Sequence, residues 1–134
     1  MSLDDCGSAV VLIYGDGKLL HVLVHRRDGG EAYMGPLLRK AVQYAKTHYD
    51  SGNILDVLMS EGEMAEIAKE TVAYECEAHK VRHAYYMSYR WDADSERKSY
   101  RVYALHVKRG HIGEQKLPGH VDATGDVPGA SALI

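Results

Sequence analysis

Hydrophobic and polar positions divide the chain into two stretches of period two around a helical centre. Ser8 to Tyr14, Ser-Ala-Val-Val-Leu-Ile-Tyr, is an unbroken apolar run of strand length and β-branched character. Gly15-Asp16-Gly17 supplies a hairpin turn, because Asp-Gly accepts the positive φ angles of a tight connection. Lys18 to Arg26 then alternates, with Leu20, Val22 and Val24 on one face and Leu19, His21, Leu23 and His25 on the other. The Leu20 face is expected to receive the helices. The opposite face mixes leucines with histidines, so part of it is expected to be covered as well.

From Leu37 to about Tyr49 the period becomes helical. Leu38, Ala41, Val42, Ala45 and Tyr49 make an apolar stripe, opposed by Arg39, Lys40, Gln43, Lys46 and Thr47. Gly35-Pro36 is read as the helix start, with Pro36 at the first helical position, where its missing N–H costs nothing. Asp50-Ser51-Gly52 ends this helix, and Asn53 caps a short second one, Ile54 to Met59. Ser60 and Glu63 have the spacing of a capping box, which predicts a third helix through about Cys76.

Strict alternation returns at Val81. Val81, His83, Tyr85, Met87, Tyr89 and Trp91 share one face, and Arg82, Ala84, Tyr86, Ser88, Arg90 and Asp92 the other. A charged loop, Asp92 to Ser99, leads to a returning strand from Tyr100 to Lys108. The expected fold is α+β, a four-stranded antiparallel sheet from two hairpins with two to three helices on one face, in the order ββ-α-(α)-α-ββ. Residues 1–109 form the single domain in this reading. Residues 110–134, rich in glycine and broken by Pro118 and Pro128, form a C-terminal tail with the option of packing along it.

Composition narrows the class. A chain of 134 residues with 46% hydrophobic content is long enough for one well-buried core. No apolar run approaches the roughly 18 residues of a membrane span, and the N-terminus lacks the pattern of a secretory leader. Cys6 and Cys76 have no metal-ligand spacing and read as reduced thiols, so a cytoplasmic location is expected. A net charge of −3 provides no general attraction to nucleic acid or anionic membrane. Ten tyrosines stand beside one tryptophan and no phenylalanine, which favours rings half-buried at surfaces or interfaces.

The candidate chemistry is sparse. Nucleophile-elbow, Walker A and dinucleotide-binding signatures are absent, and the chain reads as non-enzymatic, with no cofactor and no metal expected. His21 and His25, and His79 and His83, lie four residues apart on predicted strands. That spacing is about 13 Å, so neither pair chelates alone, although one histidine from each hairpin could do so. The turn at His25, Arg26, Arg27 and Asp28, with Tyr33 beyond it, is the best candidate for a ligand or partner site. His25 would serve as a base, Asp28 would orient it, and an arginine would hold an anion. The plainer reading is that Asp28 accepts backbone N–H groups in its own turn.

Charge is uneven. Asp56, Glu61, Glu63, Glu66, Glu70, Glu75 and Glu77 make the end of the helical centre acidic, while Lys80, Arg82, Arg90, Arg97, Lys98, Arg101, Lys108 and Arg109 accompany the second hairpin. Arg82, Tyr86, Arg90, Trp91 and Arg101, with Tyr89 and Tyr103, have the composition of a single-strand nucleic-acid platform. They equally suit a solvated hairpin or a protein interface, and opposed acidic and basic fields favour self-association.

The first hairpin followed by His25-Arg26-Arg27-Asp28-Gly29-Gly30 and Met34-Gly35-Pro36-Leu37-Leu38 resembles a group of small uncharacterised proteins of phages and other bacterial mobile elements. In that group a strand ends in a His-x-Asp-Gly-Tyr-Pro turn that runs into a helix, and a later hairpin closes the domain. The resemblance covers residues 9–107 and implies a bacterial or phage origin and an α+β fold, without an activity to carry over. The functional expectation is a non-enzymatic accessory protein. It would act through a sheet-face interface, with itself or another protein as partner, nucleic acid as an alternative and no membrane. A further alternative is a small-ligand binder or enzyme at the His25–Asp28 turn.

Overall fold

The computed structural model describes residues 8–26, 29–48, 52–71, 81, 83–94, 96–105 and 130–132. Its strands are β1 (Ala9–Gly15), β2 (Lys18–His25), β3 (Ala65–Ile67), β4 (His83–Asp92), β5 (Arg97–Leu105) and β6 (Ala130–Ala132). Its helices are α1 (Glu31–His48) and α2 (Gly52–Ser60), with a short 3-10 turn at Lys69–Thr71. The strands make one six-stranded sheet in the order β3-β2-β1-β4-β5-β6.

Both predicted hairpins form. β1 pairs antiparallel with β2, and β4 with β5. The expectation of a purely antiparallel four-stranded sheet is corrected, because β1 and β4 pair in parallel at its centre, from Ala9 with His83 to Gly15 with Tyr89. A central strand is covered on both faces, and every residue of β1 is buried. Its unbroken apolar run follows from that position. Two three-residue strands extend the sheet: β3 on β2 and β6 on β5. β6 is the part of the expected tail that the description reaches.

α1 starts five residues before Pro36, not at it. Gly30 caps the helix, its carbonyl accepting from the N–H groups of Tyr33 and Met34 at 3.1 and 2.9 Å. Pro36 therefore sits in the second turn, where its missing N–H removes one helical bond. The predicted stripe is inward, with Leu38, Ala41, Val42 and Ala45 buried. Tyr49 lies outside the described residues.

The predicted third helix does not begin at Ser60. The Ser60 hydroxyl turns back to the carbonyl of Asp56 at 2.5 Å, and the N–H groups of Glu61 and Gly62 reach the carbonyl of Val57. Glu63 then takes a left-handed conformation, φ 51°, which turns the chain into β3. His21 Nδ1 lies 2.6 Å from Glu66 Oε2, linking β2 to this strand. The span expected to be helical is strand at Ala65–Ile67 and 3-10 turn at Lys69–Thr71, and its remainder, 72–76 with Cys76, lies outside the described residues, as does Cys6.

The helices pack on a different face of β2 from the one expected. The register shifts between Ile13 and Tyr14, which pair with His21 and Leu19, so Leu20 is an extra residue in β2. Leu23 joins Ala9, Val11, Ile13, Tyr85, Met87 and Val102 beneath α1 and α2. Val22 lies on the opposite face with Val10, Leu12, Tyr14, Ala84, Tyr86 and Tyr103, and that cluster is also buried. Burial pushes the Tyr14 phenol up from its ordinary value, and neighbouring Tyr86 adds to the shift.

Candidate functional site

The helix-side face leaves a ledge at the turn end of the first hairpin. Alternation along β4 puts Tyr89 and Trp91 on this face, and the β4–β5 register sets Tyr100 and Lys98 beside them. The rings of Tyr89 and Tyr100 stand 6.2 Å apart, and Lys98 Nζ lies 4.8 Å from the centre of the Tyr89 ring. Gly15 makes the arrangement possible, since a Cβ there would stand 2.5 Å from Tyr89 Oη and from Leu20 Cδ1. Asp16, with φ 51°, fixes the same corner. Its N–H donates to the carbonyl of Tyr89 at 2.9 Å, and its Oδ1 accepts from the N–H of Trp91 at 3.1 Å. The outcome is an exposed tryptophan, 56% accessible, on one face with a cation held over the Tyr89 ring, while exposed Leu20 lies against Gly15.

The residues expected to form a nucleic-acid platform are not brought together. Tyr86 is buried in the cluster on the other face, where it cannot offer a ring to a base. Arg90 and Arg101 alternate with the residues of the ledge and share the Tyr86 face. Arg101 is exposed and donates from its guanidinium to the hydroxyl of Tyr103 at 3.3 Å. Only Trp91 and Tyr89 of that set belong to the ledge, and Arg82 lies outside the described residues. The hairpin sequence also sets Asp92, Asp94 and Glu96 among Arg90, Arg97, Lys98 and Arg101, leaving little positive excess.

At the other end of β2, His25 is buried, with 3% accessibility, and its ring stacks on Tyr33 at 5.2 Å and 20°. Its Nδ1 finds no hydrogen-bond partner among the described residues. The adjoining Gly29 carbonyl accepts a buried 2.6 Å hydrogen bond from the Tyr85 hydroxyl. Arg26 is exposed, while Arg27 and Asp28 lie outside the described residues. Of the predicted turn site, the structure unites His25 and Tyr33. Among the described residues no group of three or more His, Cys, Asp or Glu is placed to hold a metal, and no helix is long and apolar enough to cross a membrane.

Sequence reasoning missed Leu20, Lys98 and Tyr100 as site residues. The alternation from His83 to Trp91 already set Tyr89 beside Trp91, whereas Leu20 and Lys98 enter only through the bulge and the strand register. No protein-family model, curated protein or solved structure matches this chain.

Proposed function

We propose that this protein acts without catalysing a reaction, as an accessory protein that associates with a second copy of itself through the Trp91 ledge. The observation that carries this reading is the exposed Trp91 beside Tyr89, Tyr100 and Lys98. A large aromatic anchor, fixed by turn and strand, is a residue type that protein interfaces favour. The apolar centre of the opposite sheet face is already buried, so the ledge takes the place of the broad sheet-face contact. A second copy fits because each chain also presents exposed acidic groups at Glu63 and Glu70, which complement Lys98 on the ledge.

The test is sedimentation velocity across a dilution series at low and high salt. Association that weakens with dilution, with salt and on Trp91→Ser supports the reading. A monomer at every concentration overturns it. Nucleic-acid binding is less well supported, since its expected residues divide between two faces. A phage or mobile-element origin is carried by the resemblance of the residues from His25 to Leu38.

A further inference from the structure

The two hairpins stop at different heights on the same end of the sheet. β1 ends at Gly15, opposite Lys18 of β2 and Tyr89 of β4. β4 continues for three residues, through Arg90 and Trp91 to Asp92, and β5 returns from Arg97. Three residues of strand advance about 10 Å, so the second hairpin overhangs the first by that distance. The strand order sets this two-strand overhang, β4 and β5, directly beside a two-strand step at the end of β1 and β2. β3 and β6 lie further back, paired with residues 22–24 and 103–105.

An overhang and a step of equal width on one end of a sheet are complementary in a second copy turned by 180° about an axis normal to the sheet. That rotation lays each overhang in the other copy's step. It also brings the tip of the short hairpin, Asp16 to Lys18, against the tip of the long one, residues 93–96. The charges at the two tips suit the contact. Lys18 is exposed on the short tip, while Asp94 and Glu96 are exposed on the long one. Asp16 shares the short tip, but its Oδ1 is engaged by the N–H of Trp91. Trp91 stands on the overhang itself, so the same docking removes an exposed indole from water.

The geometry points to a closed two-fold dimer in which each copy's β4–β5 overhang fills the other's step, with Lys18 facing the partner's Glu96 at both ends. This rests on the self-association proposed above and supplies its geometry and its stopping point. An isologous contact uses each pair twice and ends at two copies.

The test is sedimentation velocity on the full chain carrying Lys18→Glu, Glu96→Lys, both together, or the two single variants in equimolar mixture. Each single reversal sets two like-charged pairs in its homodimer and should weaken association by about tenfold. In the mixture both pairs are opposite in sign, so a heterodimer should form within about threefold of wild-type affinity, as should the double variant. Lys46→Glu, at an exposed position of α1, should change nothing. Wild type should stop at two copies at the highest concentration, a readout that needs no variant. If Trp91→Ser weakens association but the reversals act no more than Lys46→Glu, or the mixture is not rescued, self-association stands and this geometry is overturned. Growth beyond two copies overturns it too. A wild-type monomer at every concentration removes both.

Discussion

The Tyr85 hydroxyl donates a buried 2.6 Å hydrogen bond to the carbonyl of Gly29, tying β4 to the link between β2 and α1 across 56 positions of sequence. Tyr85→Phe removes the donor and leaves that carbonyl unsatisfied, at an expected cost of about 1–3 kcal/mol. Urea unfolding should show a lower midpoint with an unchanged slope. An unchanged midpoint would show that water replaces the hydroxyl.

Gly62 and Gly15 should respond differently to alanine. At Gly62 a Cβ would meet the backbone carbonyl of Leu58 at 2.6 Å, and backbone at the end of α2 cannot step aside. Gly62→Ala is expected to destabilise by about 1–3 kcal/mol, the range of overpacking. Thermal unfolding measures it.

At Gly15 the obstructing atoms are the far ends of Tyr89 and Leu20, which can rotate away. Gly15→Ala should therefore cost little stability while rearranging the ledge. Self-association should fall more than the melting temperature does. Equal loss of both would mean that the ledge is part of the core.

Asp16 holds a left-handed φ and accepts from the Trp91 N–H. Asp16→Ala loses the acceptor and strains the turn, for an expected 1–3 kcal/mol, about the cost of such backbone positions. Asp16→Asn keeps an acceptor and tolerates the angle, so denaturant unfolding should place it near wild type.

Alkaline pH should expose Tyr14. Its folded-state phenol titrates above the ordinary value of about 10, so its contribution to stability is complete below that pH. As pH rises past it, the unfolded chain loses a proton that the folded chain retains, and stability falls by up to about 1.4 kcal/mol per pH unit. Tyr14→Phe should flatten the decline between pH 10 and 11. Parallel curves would contradict the assignment.

Local periodicity made much of this fold legible. Asp16-Gly17 and the alternations on either side specify the first hairpin, and the stripe from Leu38 to Ala45 specifies the inward face of α1. The parallel pairing of β1 with β4 joins residues some 74 positions apart, as in Ala9 with His83, and no local period encodes it. The unbroken apolar run in β1 was nevertheless a sign of a strand buried on both faces. The Ser60–Glu63 spacing misled because Glu63 adopts a left-handed φ and the serine closes the preceding helix. Both faces of β2 carry apolar residues, Leu23 on one and Val22 on the other, so alternation alone did not tell which of them meets the helices. The ledge was half legible: Tyr89 and Trp91 follow from alternation, but Lys98 requires the β4–β5 register.

The most direct measurement of the proposed self-association is the emission of Trp91 over a dilution series, because it is the chain's single tryptophan and stands at the proposed contact. The account predicts solvent-exposed, long-wavelength emission when dilute and a blue shift as concentration rises. That shift should be reversed by salt and reduced in Gly15→Ala. Emission that stays at one wavelength while sedimentation reports a monomer throughout would contradict it.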